Sequence, residues 1–173
     1  FDHAGGATTF KDGKLVPTFK NAKYYIQKKN LEAAQNPNLR EKASYLKPNF
    51  DPLLEAGVFE ILDGDVRGLL PHIDVFVTYG HTMAQQLVRV TGANLQAELI
   101  YGGDVIATSS HLRGPFVMGY DLHPLVVMEE KEKILKELAS SGGVLFFEHD
   151  PSMTSARVVF QNGDFAVKEA VNF

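Results

Sequence analysis

The chain contains no cysteine. Disulfides and thiolate metal ligands are therefore excluded, and any metal chemistry must rest on imidazole and carboxylate. No apolar run approaches the roughly 20 residues that a membrane-spanning helix requires. Basic charge is also in short supply, with 17 Lys and Arg against 21 Asp and Glu, for a formal net charge of -4. Such a chain has no cationic face with which to displace counterions, so nucleic acid and acidic membrane surfaces are unsuited as partners. Internal repeats and low-complexity stretches are absent as well. The 173 residues, 45% hydrophobic and 22% charged, have the length and composition of one globular domain with a true core. The lack of cysteine fits a reducing, cytoplasmic setting.

The pattern along the chain is mixed. Residues 4–20 are rich in Gly, Thr and Lys and read as a loop, with Asp12-Gly13 as a turn signal. Tyr24–Ile26 is a short strand candidate, and Lys28–Ala34 has helix-forming composition that Asn36-Pro37 stops. Pro52 suits a helix first turn, and Gly57 suits its end. Strand signals follow at 58–62, 73–77, 86–90 and 97–101. Met128–Ser141 is the clearest helix, with Ile134, Leu135 and Leu138 on one face and Gly142 as its cap. Val144–Phe147 is an apolar strand, and 156–160 and 165–167 flank Asn162-Gly163, a strong hairpin signal. Strands and helices in this order predict a layered α/β or α+β domain.

Three chemically capable residues, His81, Asp104 and His149, fall just after predicted strands. Loops at one rim of a rigid sheet are the usual home of chemistry. Each residue alone has an ordinary structural explanation: a satisfied buried histidine, or an aspartate in a turn. Their joint placement predicts a site. His111, seven residues after Asp104, is balanced between substrate contact and a supporting role. Phe116 and Tyr120 alternate with Met118 in the manner of a strand and are candidate pocket walls. His72 and His123, each beside a proline, read as structural.

Four segments in order carry a resemblance: Phe1-Asp2-His3-Ala4-Gly5-Gly6, Tyr79-Gly80-His81-Thr82, Tyr101-Gly102-Gly103-Asp104 and Phe146-Phe147-Glu148-His149-Asp150. Together the set resembles the metallo-β-lactamase superfamily, whose first motif reads H-x-H-x-D-H. On that resemblance the two leading histidines would lie upstream of Phe1, and residues 1–173 would form the C-terminal two-thirds of a single domain. The implied fold is a four-layer αββα sandwich, incomplete at its N-terminus. A missing N-terminal segment, or a second copy of the chain, would then cover an exposed sheet face.

The resemblance also implies a ligand set for two divalent ions. His81 would serve the first metal, Asp2, His3 and His149 the second, and Asp104 would bridge them. The first site would be impaired in a chain beginning at Phe1. Zinc is the leading ion, with iron, manganese and cobalt compatible with the same donors. The implied activity is a dinuclear hydrolase in which a metal-bridging hydroxide cleaves an ester, lactone or phosphotriester in a small-molecule substrate. Asp2 would both ligate and hold the nucleophile, and His111, Phe116 and Tyr120 would contact substrate. The alternatives are a fold-retaining fragment without activity, or an iron-dependent oxidoreductase of the same superfamily.

Two departures bear on the substrate. The best-known acyl-homoserine lactonases carry a tyrosine three positions after the bridging aspartate, where this chain has Ala107. The G-H-T motif usually continues Pro-Gly-His, where this chain has Met83-Ala84-Gln85-Gln86.

Overall fold

A computed structural model describes residues 2–92 and 97–172. Two compact units make up the chain, residues 1–63 and 64–173. Among the described residues, no helix is long and apolar enough to cross a membrane.

In the first unit, a 3-10 helix at Asp2–Ala7 leads into a hairpin of β1 (Thr8–Lys11) and β2 (Lys14–Pro17). The sequence reading leaves this stretch as loop, because residues 8–17 alternate too weakly to announce a strand. The turn holds it together: Asp12 and Gly13 take φ of 50° and 82°, the pair of left-handed values a two-residue type I′ connection needs. β3 (Tyr24–Gln27) runs parallel to β4 (Phe59–Leu62), and a parallel pair demands a long crossover. That crossover carries α1 (Lys28–Gln35) and α2 (Asp51–Glu55), with Pro52 in the first turn of α2. Ile26, Leu31, Ala34, Tyr45 and Phe50 form the core of this unit.

The second unit is built on a seven-stranded sheet. Its strands are β5 (Val66–Leu70), β6 (Ile73–Thr78), β7 (Gln85–Val90), β8 (Leu99–Tyr101), β9 (Val144–Phe146), β10 (Ser155–Gln161) and β11 (Asp164–Ala170). They lie side by side in the order β11-β10-β9-β8-β7-β6-β5. β5 has no counterpart in the sequence reading; Gly68 at φ 63° interrupts its period and bulges it against β6.

Every pairing in this seven-stranded sheet is antiparallel except β8 with β9. The parallel pair is bridged by α3 (Pro124–Ser141), which buries Val127, Ile134, Leu135 and Leu138 against the sheet. α3 starts four residues earlier than its hydrophobic period suggests, because Pro124 suits a helix first turn and needs no amide partner there. It ends at Gly142, left-handed at φ 71°. Asn162 and Gly163, at φ 53° and 81°, close the β10–β11 hairpin in the same type I′ manner. The strand suggested by Phe116, Met118 and Tyr120 does not form: residues 113–123 are an irregular segment of turns and bends. Pro115 and Gly119 break the pattern, and the backbone of 113–116 is tied by side chains instead of by a sheet.

One feature of the topology matters most. β6 and β8 are both antiparallel to β7, so they share a direction, and β9 is parallel to β8. The C-terminal ends of β6, β8 and β9 therefore reach the same rim of the sheet. Those ends lead into His81, Asp104 and His149.

Candidate metal centre

His81 leaves β6 through Tyr79 and Gly80, and its backbone is fixed from three sides. The Tyr79 and Gly80 amides donate to the Glu130 carboxylate at 2.7 and 3.0 Å. The amides of His123 and Leu122 donate to the carbonyls of Gly80 and His81. Gly80 lies against the start of α3, where a Cβ would fall 2.4 Å from the Val127 nitrogen. No other residue fits that approach.

The His81 ring sits between two carboxylates. Nδ1 is 2.8 Å from Asp121 Oδ1, and Nε2 is 3.3 Å from Asp104 Oδ2. Burial pulls its pKa down, but the hydrogen bonds and charges of Asp104 and Asp121 outweigh that and raise it to about 9. Asp121 is itself buried, and its other oxygen accepts from the Met118 amide at 2.8 Å.

Asp104 follows β8 through two glycines. A Cβ at Gly102 would fall 3.1 and 3.2 Å from the carbonyl oxygens of Ile106 and Phe146, and Gly103 is left-handed at φ 47°. The residue is 8% exposed, and its carboxylate faces an imidazole with each oxygen: Oδ1 lies 3.1 Å from His149 Nε2, opposite the His81 contact.

His149 lies in a bend after β9, its amide donating to the Ala107 carbonyl at 3.0 Å. Asp150 secures that bend. Its carboxylate accepts from the Ser109 amide and hydroxyl and from the amides of Ser152 and Met153. These bonds, led by those from Ser109, hold the Asp150 carboxyl below the usual carboxylate range. Glu148 also faces the site: ligand atoms of Asp104, Glu148 and His149 all lie within 4.8 Å of one another. The Tyr101 hydroxyl bonds to Glu148, and burial together with that bond raises the tyrosine pKa, so the phenol stays a donor.

The donors fit a first-row divalent cation. All are nitrogen or oxygen. Ligands about 2.0–2.1 Å from a tetrahedral ion stand about 3.3 Å from one another, close to the 3.1 and 3.3 Å found between the imidazoles and Asp104.

Of the five residues the resemblance implies as ligands, His81, Asp104 and His149 are brought together within the second unit. Asp2 and His3 lie in the 3-10 helix of the first unit. The three suggested substrate contacts lie in different surroundings. His111 sits in the 3-10 turn Ser109–Leu112, with Nδ1 2.8 Å from Thr108 Oγ1; burial and then the charge of Lys131 lower its pKa. Phe116 lines a groove of about 490 Å3 with Ser109, Leu112, Arg113 and Phe165, a groove that neither His111 nor Tyr120 lines. Tyr120 is 77% exposed.

Asp121, Glu130 and Glu148 escaped the sequence reading. Glu148 belongs to the Phe146–Asp150 segment, where strand alternation would point it away from His149; the bend removes that alternation. No spacing rule ties Asp121 or Glu130 to His81.

No protein-family model and no curated protein matches the sequence. Solved structures do match. A probable metal-dependent hydrolase from Staphylococcus aureus aligns at 20% identity and TM-score 0.74, over 90% of this chain and 56% of that one. AidC, a dizinc quorum-quenching lactonase, aligns at 20% identity and TM-score 0.71, over 91% and 57%. AbOPH, a hydrolase in the beta lactamase superfamily, aligns at 20% identity and TM-score 0.73, over 94% and 59%. The fold is that of the metallo-β-lactamase superfamily hydrolases. The chain spans a little over half the length of these structures.

Proposed function

We propose that this chain carries the greater part of the active centre of a metal-dependent hydrolase acting on an ester, a lactone or a phosphotriester. One observation carries the reading: Asp104 directs each of its two oxygens at a different imidazole, on a rim where three co-directional strands end. A carboxylate so placed is suited to stand between two cations, with His81 on one side and His149 on the other. The fold shared with a dizinc lactonase and a metal-dependent hydrolase supports the same reading. On the motif alone, Asp2 and His3 are the proposed source of further ligands, and Asp2 of a group that holds the attacking water.

A divalent ion bound there would polarise the scissile carbonyl or phosphoryl oxygen and lower the pKa of water towards about 7. The chain's own residues supply the geometry. Asp121 and Asp104 grip His81 from opposite sides, so its ring cannot rotate away. The Asp150 hydrogen bonds keep His149 on the rim. Ala107 is buried, and its carbonyl serves the His149 amide. It offers no phenol to a lactone carbonyl, which favours an open ester or phosphotriester over an acyl-homoserine lactone.

Elemental analysis of the purified protein, with Asp104→Ala beside it, tests the metal reading. The parent is expected to retain divalent metal through dialysis and the variant to lose it. Equal metal content in the two proteins would remove the basis of the proposal. Aryl esters, lactones and phosphotriesters, assayed in parallel, then assign the substrate class.

A further inference from the structure

We propose that Glu148 is a metal ligand in its own right, so that Asp104, Glu148 and His149 form a three-residue cation site on the His149 side of the rim. This rests on the hydrolase reading for the presence of metal, but it adds a carboxylate that the resemblance does not include.

In an extended strand, residues 148 and 149 would point to opposite faces. Here β9 ends at Phe146, and Glu148 and His149 lie in a bend, which lets consecutive side chains turn to one side. The result is measurable: an oxygen of Glu148, an oxygen of Asp104 and a nitrogen of His149 lie within 4.8 Å of one another. Ligands on opposite sides of an ion with bonds of about 2.0–2.2 Å stand at most about 4.4 Å apart. A side-chain adjustment of a few tenths of an ångström therefore closes the site.

The carboxylate is also held ready. The Tyr101 hydroxyl bonds to Glu148, and Tyr101 is fixed by stacking on Phe146 with ring centroids 5.7 Å apart. A phenol uses one of the roughly four lone-pair positions of a carboxylate, so the bond orients Glu148 and leaves it able to ligate. Tyr101 and Phe146 are register partners on β8 and β9. The same strand pair therefore delivers all three ligands and the group that steadies one of them. Two carboxylates crowded at one imidazole repel each other, and a cation between them removes that repulsion. Two oxygens and one imidazole nitrogen suit manganese as well as zinc.

The probe is Mn2+ alone, titrated into the full chain and followed by the loss of the free-ion electron paramagnetic resonance signal, with Zn2+ competition as a second readout. Glu148→Gln keeps shape and still accepts from Tyr101; Glu148→Asp keeps charge but withdraws it by one methylene. Removing even an indirect partner of a metal ligand costs roughly 10–100-fold in affinity. Both variants are therefore expected to weaken Mn2+ binding by at least about tenfold, with melting temperatures of the chelated proteins unchanged. If Asp104→Asn loses the ion while Glu148→Gln binds as the parent does, the ligand role is wrong and the hydrolase reading stands. If Glu148→Asp binds as the parent does and only Glu148→Gln is weak, charge suffices and ligation is refuted. A parent that binds neither Mn2+ nor Zn2+ overturns both readings.

Discussion

His81 Nδ1 and Asp121 Oδ1 lie 2.8 Å apart, with the aspartate buried and its second oxygen taken by the Met118 amide. The pairing sets the tautomer. A carboxylate is an acceptor only, so Asp121 holds a ring proton on Nδ1, and Nε2, on the Asp104 side, is the nitrogen that would give up its proton to ligate a metal.

Asp121→Asn should show what that arrangement is worth. An amide nitrogen facing Met118 would set donor against donor; turned round, it would donate to Nδ1 and push the proton to Nε2. Either outcome spoils the ligand. Zinc affinity is expected to fall roughly 10–100-fold. Metal titration measures the loss, and 15N spectra of the histidine ring report the tautomer.

Gly80→Ala should be harmful out of proportion to its size. The new methyl would lie 2.4 Å from the Val127 nitrogen and 2.6 Å from its Cγ2. Neither atom can retreat without moving the start of α3. Overpacking of this kind costs about 1–3 kcal/mol, which urea denaturation will read, and metal affinity should fall with it because His81 is the next residue.

Lys131 gives a pH prediction. It projects from α3 into the interior at 1% exposure, and its Nζ donates to the carbonyls of Arg113 and Phe116 at 2.8 and 2.6 Å. Burial lowers its pKa to about 8, despite the opposing charges of Asp164 and Asp121. Between about pH 8 and the unfolded value near 10.4, the unfolded chain holds a proton that the folded chain has released. Stability contributed by this group therefore rises with pH across that window. Lys131→Met should remove the rise, so the stability difference, parent minus variant, should increase from pH 8 to pH 10. Denaturant melts at several pH values check it; a flat difference would show that Lys131 stays charged.

The β10–β11 connection gives a milder test. Gly163 holds φ 81° with nothing near its missing Cβ, so Gly163→Ala meets backbone strain and no clash. A loss of about 1 kcal/mol is expected, with metal binding untouched.

Much of this architecture was legible because the signals were local. Asn162-Gly163 announces its hairpin, and Ile134, Leu135 and Leu138 their helix. His81, Asp104 and His149 could be marked because each follows a recognisable strand. What stayed hidden depends on the third dimension. Asp121 reaches His81 across 40 residues, and Glu130 reaches Tyr79 across 51. Lys131 reads as one more charge on a helix surface, and only its carbonyl partners account for its burial. The β1–β2 hairpin and β5 were missed because weak alternation is rescued by turn geometry in one and by a bulge in the other.

The shared direction of β6, β8 and β9 leaves the second unit with one working end and one idle end. The Pro71-His72 turn before β6 and the Asn162-Gly163 turn after β10 both lie at the idle end, as the strand directions require. A tether, dye or fused domain attached at either turn would sit at the end of the sheet opposite the ligand-bearing rim. That makes those turns the natural handles for anchoring this molecule to a surface.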